Sequence, residues 1–240
     1  MIRVEGVSKR FRDHVVLDRV SVDIPDGATT VILGPSGIGK TVLLRIMAGL
    51  QAPDEGRVFH DGRQIHFGRF ADNRERTGGL GYVFQGGALF DSLTVAENVA
   101  LVLEETTRLS RAEIRTRTRE VLRRVGMAEN AGLFPRALSG GMTRLVAIAR
   151  ALVADPHCIF FDEPTTGLDP VVRARICTMI RELGRGLSPH GDCPQSRALV
   201  VVTHDLEAAR LLADHTYMLR AGKLVRADNV RKEDYEQAYS

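Results

Sequence analysis

The chain has 240 residues, a length that buries a substantial core and fits one large α/β domain or two small ones. Its net charge of +3, its 5% aromatic content and its lack of Trp imply no polyanion-binding surface and no base-stacking platform, so nucleic acid is not an expected partner. Three widely spaced cysteines without a C-x-x-C pair, no apolar run near the roughly 18 residues of a membrane span and no secretory leader in Met1-Ile2-Arg3-Val4-Glu5 lead us to expect a soluble cytosolic protein.

Residues 2–11, 15–24 and 29–33 read as short strands, separated by turn residues at Arg12-Asp13-His14 and Pro25-Asp26-Gly27. Phe11, at the end of the first, is either an ordinary core side chain or an aromatic free to stack on a purine ring. The third run feeds into Gly34-Pro35-Ser36-Gly37-Ile38-Gly39-Lys40-Thr41, which fits G-x-x-x-x-G-K-[ST] and opens a helix-forming stretch from Val42 to Ala48. Glycines in this loop let successive N–H groups point inward, and the dipole of the following helix adds positive potential. In such a loop Lys40 reaches the β- and γ-phosphates of a nucleotide, and the Thr41 hydroxyl is a ligand for Mg²⁺.

That helix is expected to end near Gly49, with Pro53 beyond it. Residues 56–65 read as a hairpin around Asp61-Gly62, residues 68–79 as an exposed polar connection, and residues 81–84 as a strand leading to Gln85. From there to residue 155 the pattern is helical. Thr94 with Glu97 and Ser110 with Glu113 form capping boxes. Behind them Val95, Val99, Val102 and Leu103, then Ile114, Val121, Leu122 and Val125, repeat at core-facing helical spacing. Arg111, Arg115, Arg117, Arg119, Arg123 and Arg124 are expected to make a solvated face.

Leu138-Ser139-Gly140-Gly141-Met142 precedes a helix expected over residues 143–153. Two glycines there make either a second anion site or a simple serine cap with a flexible turn. One copy would hardly use two cradles on one triphosphate, so the second is expected to serve a nucleotide held by another subunit. The apolar strand Cys158-Ile159-Phe160-Phe161 then ends in Asp162-Glu163. An aspartate there can hold Mg²⁺, and the next carboxylate can face an attacking water. Asp169 caps a helix with Pro170 at its first position, running to about residue 183. The long connection 184–197 carries His190 and Cys193, too few ligands for a metal site. Residues 198–202 form another buried strand ending at Thr203-His204-Asp205, followed by a helix over 206–213, strands at 217–220 and 223–226, and a charged peripheral tail from Asp228.

In this order, over nearly the whole chain, these motifs resemble the ATP-binding subunit of an ABC transporter. Phe11 sits where that family has its adenine-stacking aromatic. Residues 34–41 match Walker A, Gln85 the Q-loop, residues 138–142 the signature, residues 158–163 Walker B, residues 166–169 the D-loop, and His204 the switch histidine. The resemblance implies a P-loop α/β fold with an N-terminal antiparallel β subdomain and a helical subdomain inserted at about residues 86–155, all within one domain over residues 1–240. It further implies a head-to-tail dimer sandwiching two ATP molecules, each between Walker A of one copy and Ser139-Gly140-Gly141 of the other. Within it Gly34, Pro35, Ser36, Gly37, Ile38, Gly39, Lys40, Thr41, Phe11 and Asp169 would contact nucleotide. Thr41, Gln85 and Asp162 would bind Mg²⁺, Glu163 would polarise the water, and His204 would contact the γ-phosphate.

Departures from the family pattern are Met142 for the usual Gln, Ile38 and Val42 around the loop, and Gly167 for Ala. None removes a phosphate-contacting group, so ATP hydrolysis is expected. Residues 84–90 and 93–99, with Gly37-Ile38-Gly39-Lys40 and the Met142 signature, resemble the cassettes of Mla-type and Mce-associated lipid transporters. That resemblance implies phospholipid or related cargo, a membrane permease, MCE-domain lipid-binding components, and a peripheral position on the cytoplasmic face of the inner membrane. Solute import and drug efflux share every catalytic feature and stay open. A soluble ABC ATPase would bring tandem cassettes or a long coiled coil, and neither pattern is seen.

Overall fold

The structure, a computed structural model, describes residues 1–67, 79–184 and 197–228. In β1 (Ile2–Phe11) and β2 (His14–Ile24) alternation places Ile2, Val4, Val20, Val22 and Ile24 in the core and their neighbours toward solvent. These strands pair antiparallel. With β4 (Glu55–His60) and β5 (Arg63–Gln64) they make a sheet ordered β2-β1-β4-β5, the hairpin turning at Asp61-Gly62.

A second sheet is built from β3 (Thr29–Leu33), β6 (Leu80–Val83), β7 (Cys158–Asp162), β8 (Ala198–Thr203), β9 (His215–Arg220) and β10 (Lys223–Arg226). Its order is β10-β9-β3-β8-β7-β6, parallel except for the β9–β10 hairpin. The central strands β3, β7 and β8 are buried throughout and mostly apolar because both faces are covered. Val31, Leu33, Ile159, Phe161, Leu199 and Val201 enter one core; Ile32, Cys158, Phe160, Ala198, Val200 and Val202 enter the other. Phe160 and Phe161 are fully buried, and truncating either to Ala would cost about 3–5 kcal/mol. Parallel pairing brings the carboxyl ends of β3, β6, β7 and β8 to one edge, where such sheets bind ligands.

Helices α1 (Lys40–Met47), α2 (Val95–Thr106), α3 (Arg111–Arg124), α4 (Gly140–Leu152), α5 (Pro170–Gly184) and α6 (Leu206–Leu212) complete the described elements, with short 3-10 turns at Ala128–Asn130 and Pro135–Ala137. Both capping boxes form as the spacing predicts. Val95, Val99, Leu103, Ile114, Val121 and Leu122 are buried, whereas Arg111, Arg115, Arg119, Arg123 and Arg124 are exposed.

Some boundaries differ from expectation. Helix α4 begins at Gly140 instead of residue 143, because the Ser139 hydroxyl accepts the Met142 N–H and starts the helix at the glycines. Strand β9 begins at His215 because pairing with Thr30 of β3 extends it. Asp228 is no loose tail residue: it accepts the Thr216 N–H at 3.1 Å and pairs with Arg226 at 2.6 Å. The expected connection over 68–79 falls, apart from Gly79, outside the described residues, as do His190, Cys193 and the tail beyond Asp228.

Candidate functional site

The loop between β3 and α1 has the strained backbone its sequence promised. Gly39 sits at φ 113°, and a Cβ there would lie 2.5 Å from Val16 Cγ1, so only glycine fits. Gly39 also stands at the N-cap of α1 without a side-chain cap, whereas α2, α3 and α4 are capped by Thr94, Ser110 and Ser139. The first-turn N–H groups of α1 therefore have no carboxylate or hydroxyl cap. A free first turn of this kind is what a phosphate oxygen needs.

Lys40, 5% exposed, curls back under the loop. Its Nζ donates to the Gly34 carbonyl at 2.8 Å and to the Pro35 carbonyl at 3.0 Å, and pairs with Glu163 Oε1 at 3.1 Å. Thr41, next in the chain, donates its hydroxyl to Asp162 Oδ1 at 2.7 Å. The other Asp162 oxygen accepts from Tyr82 Oη at 3.3 Å. Burial pushes the Asp162 carboxyl up from the usual range, and the two hydroxyl donors only partly offset it. Burial likewise pushes Tyr82 well up, which keeps its hydroxyl a donor.

Glu163 leaves β7 in a left-handed conformation (φ 49°), its N–H held by the Val202 carbonyl at 3.0 Å. That turn aims the carboxylate back at the loop. Its Oε2 accepts from the Thr166 hydroxyl at 2.9 Å and from the His204 N–H at 3.3 Å, and lies 2.9 Å from His204 Nδ1. Burial alone would raise Glu163, but the His204 hydrogen bond and the Lys40 charge outweigh it and hold the carboxyl below its ordinary value. His204 is half-buried at the end of β8.

Two hydrogen-bonded groups thus lie side by side, Lys40–Glu163–His204 and Thr41–Asp162–Tyr82, brought together by the start of α1 and the ends of β6, β7 and β8. The other sequence-derived candidates stand around them. Phe11 is 46% exposed with Lys9 Nζ 5.7 Å from its ring centre, so it is not a core residue. Ser36 and Gly37 are exposed at the loop tip, with Pro35 and Ile38 partly covered. Gln85 is exposed just past β6. Ser139 and Gly140 are exposed, and Gly141 packs so closely on Val172 that a Cβ would lie 2.7 Å from Val172 Cγ1. Asp169 spends Oδ1 on the N–H groups of Val171 and Val172, as the cap of α5.

Sequence reasoning missed Tyr82, Arg144 and Arg150, and it named Thr166 only as part of the D-loop, not as a partner of Glu163. Tyr82 carried a signal, since a tyrosine in a buried strand needs a partner for its hydroxyl. The two arginines carried none, because their partners are backbone carbonyls remote in the chain. Arg150 donates to Gly87 and Ala88 carbonyls at 2.7 and 2.6 Å, and Arg144 to those of Phe84 and Thr166.

Residues 17–166 match the family described as ABC transporter (ABC_tran). The "Probable sulfate/thiosulfate import ATP-binding protein CysA" of Chlorella vulgaris is 36% identical over 231 residues, covering 96% of this chain and 92% of that protein. The "Intermembrane phospholipid transport system ATP-binding protein MlaF" of Haemophilus influenzae is 36% identical over 225 residues, covering 94% of this chain and 82% of that protein. Among solved structures, the dimeric post-hydrolysis state of the ATP-binding cassette MJ0796 bound to ADP and Pi superposes with a TM-score of 0.83 at 31% identity, covering 96% of this chain and 100% of the other.

Proposed function

The chain belongs to the ABC transporter family as an ATP-binding, ATP-hydrolysing subunit, and on that premise we propose that it energises movement of phospholipid or related hydrophobic cargo through a separate membrane permease. The observation that carries the catalytic reading is the buried Lys40–Glu163 pair, with half-buried His204 on the same carboxylate, at the carboxyl edge of the sheet. In this reading residues 34–41 cradle the phosphates with backbone N–H groups while Lys40 exchanges Glu163 for phosphate oxygen. Glu163, released from Lys40 but still held by Thr166 and His204, orients the attacking water and takes its proton. His204 donates toward the γ-phosphate, and Phe11 stacks on the adenine.

Thr41, Asp162 and Gln85 would hold Mg²⁺. Hydroxyl, carboxylate and amide oxygens are the hard donors that ion takes, and the buried Asp162 charge is one that a cation would relieve. When bound, the ion neutralises charge on the phosphate oxygens. Asp169, the exposed Ser139 and Gly140, and the partly covered Gly141 face the nucleotide of a second copy, head to tail.

The permease would dock beside Gln85. There Asn98, fully buried, accepts from the Phe90 N–H and donates to the Phe90, Leu93 and Thr94 carbonyls, pinning the loop so that Phe90 stays 52% exposed. Leu133, whose carbonyl caps Val95, and Phe134 are also exposed. Among the described residues no helix is long and apolar enough to cross a membrane. We therefore place the chain peripherally on the cytoplasmic face of the inner membrane through this contact, with MCE-domain lipid-binding components in the same assembly.

The likeness to CysA favours a second reading, solute import; drug efflux, with the same catalytic parts, is the other alternative. Purification of the tagged chain from membranes in gentle detergent decides. A permease with an MCE-domain protein and bound phospholipid supports the lipid reading, while a sugar- or amino-acid-binding partner overturns it.

A further inference from the structure

We propose that Arg144 is a positioning residue that ties the Gln85 segment to Glu163, so that displacement of one is felt at the other; this rests on the roles assigned above to Gln85 and Glu163. Arg144 lies in the second turn of α4 and is only 8% exposed. Its Nη1 donates to the Phe84 carbonyl, immediately before Gln85, at 3.2 Å. Its Nη2 donates to the Thr166 carbonyl at 3.5 Å. Thr166 in turn gives its hydroxyl to Glu163 Oε2 at 2.9 Å. One planar guanidinium therefore joins the backbone before Gln85 to the residue that orients the Glu163 carboxylate.

These partners make the tie sensitive to position. Both hydrogen-bond acceptors of Arg144 are neutral carbonyls, and burial lowers its pKa, with the Asp162 charge opposing that shift. A buried cation satisfied this way is expensive unless both carbonyls stay in place. The rest of the Gln85 segment is already fastened to α4. Arg150 grips the Gly87 and Ala88 carbonyls at 2.7 and 2.6 Å, and a Cβ on Gly87 would lie 2.9 Å from Thr143 Cγ2. Residues 84–88 and α4 thus form one packed unit, and Arg144 is its link to the loop that carries Thr166. A lysine could not serve both sides, since its point charge lacks the guanidinium fork.

The test reads hydrogen exchange at amides 84–88 and 163–168, nucleotide affinity by a fluorescent ATP analogue, and ATP turnover, all on the full chain. Arg144→Gln should speed exchange in both segments together and slow turnover about tenfold, with nucleotide affinity kept within about twofold. Arg144→Lys keeps the charge in case the neutral variant folds poorly. It should still speed exchange in at least one segment and slow turnover several-fold. Arg150→Lys should loosen residues 84–88 alone. The proposal is overturned if Arg144→Gln leaves residues 163–168 as protected as in the parent, if Arg144→Lys leaves both segments as protected, if turnover is unchanged, or if affinity falls in step with turnover as in a general loss of structure. Exchange and affinity are measured without turnover. A wrong assignment of Glu163 would therefore show as normal turnover in Glu163→Gln with this exchange pattern intact.

Discussion

The two glycine-bearing helix starts of this chain are built in opposite ways. At α1 the glycine loop has no side-chain cap, and Lys40 and Thr41 at the start of that helix meet Glu163 and Asp162 at the end of β7. At α4 Ser139 supplies its own cap, through a long 3.3 Å hydrogen bond, and the glycines lie at the surface against α5. Among the described residues, no charged side chain is hydrogen-bonded to that second start. In the proposed head-to-tail pairing the first supplies its chemistry in cis and the second is half of a contact, a difference that would leave a single copy catalytically incomplete.

The largest effect should come from breaking the cis half. Glu163→Gln should lower ATP turnover by about 10²–10³-fold, keep nucleotide affinity, and let a nucleotide-bound dimer accumulate on size-exclusion chromatography. Phosphate release near the parental rate would remove Glu163 from the chemistry. Breaking the other half should look different. Ser139→Arg is expected to cut turnover on the order of tenfold or more, while a dilute monomer binds ATP analogue within about twofold of the parent. A comparable loss of monomer binding would mean that the glycines of α4 serve the nucleotide of their own chain.

Stability sharpens the comparison within the cis half itself. Glu163 has a depressed pKa in the fold, so its contribution is present above the unfolded carboxylate value and is lost as pH falls through the folded one. Asp162 has a raised pKa, so the fold favours its protonated form and loses that preference as pH rises through the raised value. Asp162→Asn should therefore leave the nucleotide-free protein at neutral pH unchanged or more stable by about 1 kcal/mol, while abolishing Mg²⁺-dependent turnover. Glu163→Gln should be less stable at neutral pH and flatter in its acid denaturation curve. Thermal melts across pH read both, and a destabilised Asp162→Asn would reverse the sign assigned to that carboxyl. Smallest of all, Phe11→Ala should weaken ATP about fivefold, roughly 1 kcal/mol, without changing affinity for inorganic triphosphate. Equal effects on both ligands would separate the exposed ring from adenine.

Much of this architecture could be read from local pattern. Strands β3, β7 and β8 are runs of apolar residues bounded by turn signals, and capping boxes announce α2 and α3, because those signals act between residues close in the chain. The glycine loop was legible for the same reason: its strain and its helix dipole are properties of eight consecutive residues. The start of α4 was misplaced because glycine has low helix propensity, and the Ser139 cap outweighed that preference. Asp169 was legible as a helix cap, which is how its side chain is used here.

By itself the order of residues determined the strand and helix types, the phosphate loop, and the family to which the chain belongs. Only the folded sheet decided that Lys40 rests on Glu163, that Tyr82 and Thr41 share Asp162, and that Arg144 spans Phe84 and Thr166. The reason is that parallel pairing of β3, β8 and β7 brings chain ends more than a hundred residues apart onto one edge. Contacts between carboxylates, hydroxyls and carbonyls there depend on that registry, which leaves no periodic trace in the chain.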